Sequence, residues 1–119
     1  MATKTYHGSC HCGAVRYEAD IDLAAGTGKC NCSYCTKVRT WGVGLKPDAF
    51  RLLAGADALA GYQFGSHSAH HRFCRTCGIH PYAEGRDPKG NEMRAINIRC
   101  LEGIDLEAVP VTHFDGRSK

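Results

Sequence analysis

Val15, Tyr17 and Ala19 alternate with Arg16, Glu18 and Asp20, so this stretch has one apolar and one charged face, the two-residue period of a half-buried strand. With the run from Thr5 to His11 on the other side of Cys12-Gly13, it predicts a β-hairpin. Further short runs read as strands: Thr40 to Leu45, Ala49 to Leu53, Leu59 to Phe64, His70 to Phe73, Ile79 to Ala83, and Arg94 to Leu101. Turn signals divide them at Lys46-Pro47-Asp48, Ala54-Gly55-Ala56-Asp57, Phe64-Gly65-Ser66 and Asp87-Pro88-Lys89-Gly90-Asn91. Cys32 to Arg39 reads as a helix of one or two turns, with Ser33 as its cap and Lys37 and Arg39 at its end, and a second short helix is expected after Asp105. The predicted fold is mostly β, about eight strands in two small sheets or a distorted open barrel, with one or two short helices.

A chain of 119 residues with 43% hydrophobic content supports one core, so a single domain over 4–117 is expected. No stretch approaches the roughly 20 apolar residues of a membrane span, and the start has no apolar targeting segment. The formal charge of +3 is spread along the chain rather than blocked, which argues against a nucleic-acid or membrane-surface partner. The expected location is cytoplasmic, where thiols stay reduced, so eight cysteines point to metal or redox chemistry rather than bridges.

Seven of the eight cysteines fall in three clusters: Cys10-His11-Cys12-Gly13, Cys30-Asn31-Cys32-Ser33-Tyr34-Cys35, and Cys74-Arg75-Thr76-Cys77-Gly78. A Cys-x-x-Cys-Gly turn is a thiolate knuckle, because glycine admits positive φ and the turn aims both sulfurs at one ion. Cys10, Cys12, Cys74 and Cys77 therefore predict a closed four-sulfur structural zinc site. Cys30, Cys32 and Cys35 supply three ligands and leave a fourth position open, the pattern of a catalytic zinc, and a helix N-terminus favours thiolate. Three other readings compete: a disulfide framework, opposed by the reducing compartment; an iron–sulfur cluster, opposed by the missing fourth cysteine; and one structural zinc beside three inert or redox thiols. With two zinc ions bound, four thiolates add −2 and three add −1, so the formal +3 falls to about 0.

The ordered motifs Gly8-Ser9-Cys10-His11-Cys12-Gly13-Ala14-Val15, Cys30-Asn31-Cys32-Ser33-Tyr34-Cys35, Phe50-Arg51-Leu52-Leu53-Ala54-Gly55, Tyr62-Gln63-Phe64, His71-Arg72-Phe73-Cys74-Arg75-Thr76-Cys77-Gly78, Asn97-Ile98-Arg99-Cys100-Leu101 and His113-Phe114-Asp115-Gly116 cover nearly the whole chain. In these the sequence resembles the glutathione-dependent formaldehyde-activating family, S-(hydroxymethyl)glutathione synthase, whose wider membership includes centromere protein V-like proteins. The resemblance implies an Mss4-like small β-sheet fold stapled by zinc. It also implies a structural Zn²⁺ on Cys10, Cys12, Cys74 and Cys77 and a functional Zn²⁺ on Cys30, Cys32 and Cys35, which are then the catalytic residues. The activity implied is that of a carbon–sulfur lyase. Its partners would be glutathione or a similar small thiol and formaldehyde or another small aldehyde, and an oligomer is compatible with it. The alternative from another class is a non-catalytic glutathione carrier or a zinc-ribbon-like interaction module.

Outside the clusters, Cys100 in an apolar run is read as a small buried hydrophobe. His70 and His71 are adjacent, so on a strand they face opposite ways. His7, His67 and His113 are read as solvated or hydrogen-bonded, while His11 and His80 lie close enough to the knuckles to shape a pocket. Tyr62 and Phe64 share a strand face and are assigned to the core, as is Trp41, with a wall of the thiol pocket as its alternative role. Glutathione carries two carboxylates, for which Lys37, Arg39, Arg72 and Arg99 are the candidate partners.

Overall fold

The structure, a computed structural model, describes residues 3–63, 69–87 and 89–114. In chain order its strands are β1 (Lys4–Ser9), β2 (Arg16–Ile21), β3 (Thr27–Cys30), β4 (Trp41–Leu45), β5 (Phe50–Ala54), β6 (Leu59–Tyr62), β7 (Ala69–Cys74), β8 (Tyr82–Arg86), β9 (Glu92–Asn97) and β10 (Val111–Phe114). The single α-helix among the described residues, α1 (Ser33–Val38), lies between β3 and β4. A three-stranded sheet runs β1-β2-β5, and a seven-stranded sheet runs β10-β3-β4-β9-β8-β7-β6. The fold is mostly β and takes the two-sheet form.

The predicted hairpin forms, with β1 and β2 antiparallel from Lys4 opposite Ile21 to Ser9 opposite Arg16. Its alternation does what the pattern requires: Tyr17, Ala19 and Ile21 are buried, and Arg16 is exposed. These side chains meet Trp41, Tyr82, Ile96, Ile98 and Leu101 in one core between the sheets. Full burial of an Ile side chain such as Ile21 contributes about 1.5–3 kcal/mol, which helps give the hairpin its hold on the larger sheet. Gly8 is required where it stands, since a Cβ there would run into the Tyr17 ring directly across the pair.

Several elements depart from expectation for identifiable reasons. The run from Arg94 to Leu101 leaves the strand at Asn97, whose side chain accepts the Arg99 N–H at 3.0 Å and tightens residues 98–100 into a 3-10 turn. Cys100 thus sits half-buried in that turn rather than in a strand. The run from Ile79 begins pairing only at Tyr82, because Ile79 closes the preceding turn by accepting the Cys74 N–H at 2.9 Å and Pro81 has no N–H to give. Tyr62 is 49% exposed, so it is not a core residue. Phe64, the turn at 64–66, His67, Pro88 and the motif residues Asp115 and Gly116 lie outside the described residues.

The sequence pattern missed β3 and β10. β3 is Thr-Gly-Lys-Cys, with no apolar alternation, and exists because it is paired on both sides, antiparallel to β4 and parallel to β10. Its Thr27 hydroxyl donates to the Pro110 carbonyl and accepts the Trp41 indole N–H, each at 2.7 Å. The helix expected after Asp105 is a single 3-10 turn, Leu106–Ala108, capped by the Asp105 carboxylate.

Candidate metal centres

Cys10 and Cys12 leave the end of β1, and Cys74 and Cys77 leave the end of β7, so two turns from different sheets converge. Each turn bends at the glycine the motif supplies, Gly13 at φ 81° and Gly78 at φ 78°. The four sulfurs lie within 4.8 Å of one another, with Cys10–Cys12 and Cys12–Cys74 Sγ separations of 3.6 Å. A disulfide needs about 2.05 Å, whereas tetrahedral zinc with Zn–S of about 2.3 Å holds neighbouring sulfurs about 3.8 Å apart. Backbone N–H groups already point at the sulfurs, Val15 to Cys10 and Thr76 to Cys74, each at 3.4 Å.

As thiols these four compete for charge. The N–H groups of Cys12 and Ile79 hold the Cys77 thiol down at about 6. The Ala14 N–H draws Cys12 down, but the neighbouring Cys10 sulfur, burial and the sulfurs of Cys74 and Cys77 outweigh it and push Cys12 to about 11. Four thiolates this close need a cation among them. Four soft donors at tetrahedral spacing fit Zn²⁺.

The second cluster forms where β3 runs into α1. Cys30 ends the strand, Cys32 precedes the helix, and Cys35 is buried in its first turn. Their sulfurs also lie within 4.8 Å of one another, and among the described residues no fourth His, Cys, Asp or Glu ligand atom joins them. Cys32, not Ser33, is the helix cap: its sulfur accepts the Cys35 N–H at 3.4 Å, and Cys30 accepts the Cys32 N–H at 3.5 Å. Burial raises the Cys32 thiol, but the N–H of Cys35 and its sulfur neighbours bring it below the ordinary range, while burial pushes Cys35 up to about 12. In a helix of six residues these local N–H bonds, rather than a macrodipole, favour thiolate.

Cys35 also lines a cavity of about 210 Å³ between α1 and the strands β7, β8 and β9. On its wall the Tyr34 ring stacks on His71 at 4.0 Å, and the Tyr34 hydroxyl lies 2.8 Å from His80 Nδ1. Burial lowers the pKa of both histidines, which favours their neutral form.

The sequence profile of the glutathione-dependent formaldehyde-activating enzyme family matches residues 5–114. The chain belongs to that family. It is also similar to a Rhodobacter sphaeroides protein of known crystal structure, at 35% identity and a TM-score of 0.76, over 89% of this chain and 99% of that one.

Against the glutathione expected from the family, the four candidate cations separate. Arg72 is committed to Glu84 at 2.7 Å. Arg39 ends α1 in the left-handed region at φ 60°, and Lys37 sits in the last helical turn. Arg99 lies with its Cζ 5.1 Å from the Trp41 ring centre, where it is joined by Lys29, whose Nζ is 4.4 Å from the same ring. Trp41 is buried beneath the two cations, so it belongs to the core and also carries this basic site. The sequence reading missed Lys29, Tyr34 and His71. The signal for the first two was adjacency to Cys30 and Cys35, but their meeting with Arg99 and His80 is made only by the sheet. The histidine pair divides as expected: His71 stacks on Tyr34, and the His70 ring fills the space over Gly61.

Proposed function

We propose that the chain is a single domain over 4–117 with two Zn²⁺ sites, structural on Cys10, Cys12, Cys74 and Cys77 and functional on Cys30, Cys32 and Cys35. At the second site it binds glutathione or a similar small thiol and joins it to formaldehyde or another small aldehyde, a carbon–sulfur lyase of the S-(hydroxymethyl)glutathione synthase type. The observation that carries this reading is the three-sulfur group with no fourth protein ligand among the described residues, one of whose cysteines, Cys35, lines a cavity. Zinc bound there would lower the pKa of an incoming thiol, so that it reacts as thiolate near neutral pH.

The chain's own residues supply the rest. Lys29 and Arg99, each against the Trp41 ring, offer two cations for the two carboxylates of glutathione, and Lys29 immediately precedes Cys30. The Tyr34–His80 pair offers a hydrogen bond to a carbonyl oxygen entering the cavity. All eight cysteines are free, as a reducing compartment such as the cytoplasm would keep them, and no helix among the described residues is long and apolar enough to cross a membrane.

The donor set favours one second reading. An ion held by the thiolates of Cys30, Cys32 and Cys35 would be a weak Lewis acid and would leave a bound thiol only modestly nucleophilic, as suits a glutathione carrier. Calorimetric titration with glutathione, combined with the rate of adduct formation against the spontaneous rate, separates the two. The lyase reading expects binding and zinc-dependent acceleration, both lost in Cys32→Ser with the fold retained. Binding without acceleration establishes the carrier, and absence of both leaves an interaction module.

A further inference from the structure

The cavity beside the three-cysteine cluster is far larger than formaldehyde requires. Formaldehyde has two heavy atoms, close to the size of a water molecule with its share of about 30 Å³ of liquid, against about 210 Å³ here. The surroundings are also wrong for a small polar guest. Among the described residues, Val38, Gly42, Ala69, Ala83 and Ala95 present carbon, and the rings of Tyr34 and His71 form part of the wall. Two of the polar lining groups are held by protein partners: Asn97 Nδ2 donates to the His80 carbonyl at 2.8 Å, its Oδ1 accepts from the Arg99 N–H, and Arg72 is held by Glu84, which leaves the Tyr34–His80 pair to meet a carbonyl oxygen.

The same features exclude the bulk of glutathione, whose two carboxylates and two amides would lose their water without gaining partners. The cations that suit those carboxylates, Lys29 and Arg99, lie over Trp41, which does not line the cavity. An apolar cavity of about 150 Å³ is enough to take a benzene ring. One of about 210 Å³ takes a phenyl group with a one- or two-atom arm, and ring walls favour an aromatic guest through offset or edge-on packing.

We propose that the cavity between α1 and strands β7, β8 and β9 binds the aryl group of an aromatic aldehyde, so that aryl aldehydes are substrates of the thiol site beside formaldehyde. This rests on the thiol-binding role proposed for Cys30, Cys32 and Cys35, and deepens it. With the ring seated against Ala83 and Ala95, the aldehyde carbon is carried toward the Cys35 side of the cavity. The thiol sulfur bonds to that carbon, the carbonyl π pair moves to oxygen, and the oxygen takes the proton the thiol gave up. The product is a hemithioacetal, with nothing oxidised or reduced.

The test uses benzyl alcohol, an unreactive analogue of benzaldehyde, titrated into the zinc-loaded protein and followed by methyl chemical shifts. Saturable one-to-one binding is expected, with ring-current shifts at Ala69, Ala83 and Ala95 and a preference over 1-hexanol. Ala95 is exposed and stands opposite Ala83 in the β8–β9 pair, so Ala95→Phe plugs the cavity mouth from a strand position that needs no repacking. At unchanged zinc content it should weaken benzyl alcohol at least tenfold, and Ala83→Leu provides the same test from the neighbouring strand. Absence of saturable binding, tighter binding of 1-hexanol, or indifference to both substitutions overturns the proposal. Glutathione titration is read separately: its failure, with benzyl alcohol still bound, removes the thiol-binding reading and leaves the aryl site standing.

Discussion

The Tyr34 hydroxyl and His80 Nδ1, 2.8 Å apart, tie the helix of the three-cysteine cluster to the segment that leaves the four-cysteine cluster. Tyr34 lies between Cys32 and Cys35, and His80 follows Cys77-Gly78, so one side-chain bond spans the two candidate metal centres. Tyr34→Phe deletes that bond while keeping the stack on His71. It should lower stability by about 1 kcal/mol, seen as a lower denaturation midpoint at unchanged m-value and unchanged zinc content. No shift in the midpoint would mean the bond is not made in solution.

The two cysteine clusters should respond differently to loss of a ligand. A structural zinc contributes about 10–16 kcal/mol of apparent binding energy, against a net stability of about 5–15 kcal/mol for a small domain. Cys74→Ser or Cys77→Ser should therefore abolish folding, read as loss of chemical-shift dispersion. Cys32→Ser should keep the fold and reduce the zinc content from two per chain to one, measured by metal analysis. A folded, one-zinc Cys74→Ser protein would contradict the assignment of the structural site.

Tyr17 carries a cost at the centre of the core. Its hydroxyl is buried with no hydrogen-bond partner among the described residues, and burial raises its pKa well above the usual phenol range. The ring is well placed, 5.3 Å from Phe50 and 6.4 Å from Tyr82 between ring centres. Tyr17→Phe keeps the ring and removes the unpaired group, so it should stabilise the domain by roughly 1 kcal/mol and raise the thermal midpoint. A lowered midpoint would show that the hydroxyl has a partner in solution, such as a buried water.

The cavity histidines add an acid limit to stability. Burial lowers the folded-state pKa of His71 and His80 below the ordinary 6.5 of an unfolded chain, so the unfolded state binds more protons between the two values. Their contribution is complete above about pH 6.5 and declines as pH falls below it. His71→Phe keeps the stacking surface on Tyr34 and removes one titrating group. Denaturation midpoints between pH 8 and pH 5 should fall less steeply in the variant than in the wild type, and parallel curves would exclude the effect.

Much of the candidate site was legible because metal-ligand spacing is a local property. Cys10-x-Cys12-Gly13 and Cys74-x-x-Cys77-Gly78 each state a turn, its glycine and its two sulfurs within five residues, and both turns form as read. The hairpin was legible for the same reason, since alternation from Val15 to Asp20 is read within one strand. The exchange of Ser33 for Cys32 as helix cap was not, because a sulfur held in place by its cluster outranks a better hydroxyl cap one residue on. β3 and β10 were missed because neither carries its own pattern, and each is a strand only through its neighbour.

By itself the sequence determined which residues carry sulfur, which turns present it, and that one face of the first hairpin must be covered. Tertiary structure alone decided the rest: that β1 and β7 end at the same point, that Lys29 and Arg99 meet over Trp41, and that Cys35 opens onto a carbon-lined cavity. The physical reason is range. Turn geometry and strand period are set by neighbours in the chain, whereas a cavity or a paired charge is set by which sheet edges meet, and that follows from burying the whole core at once.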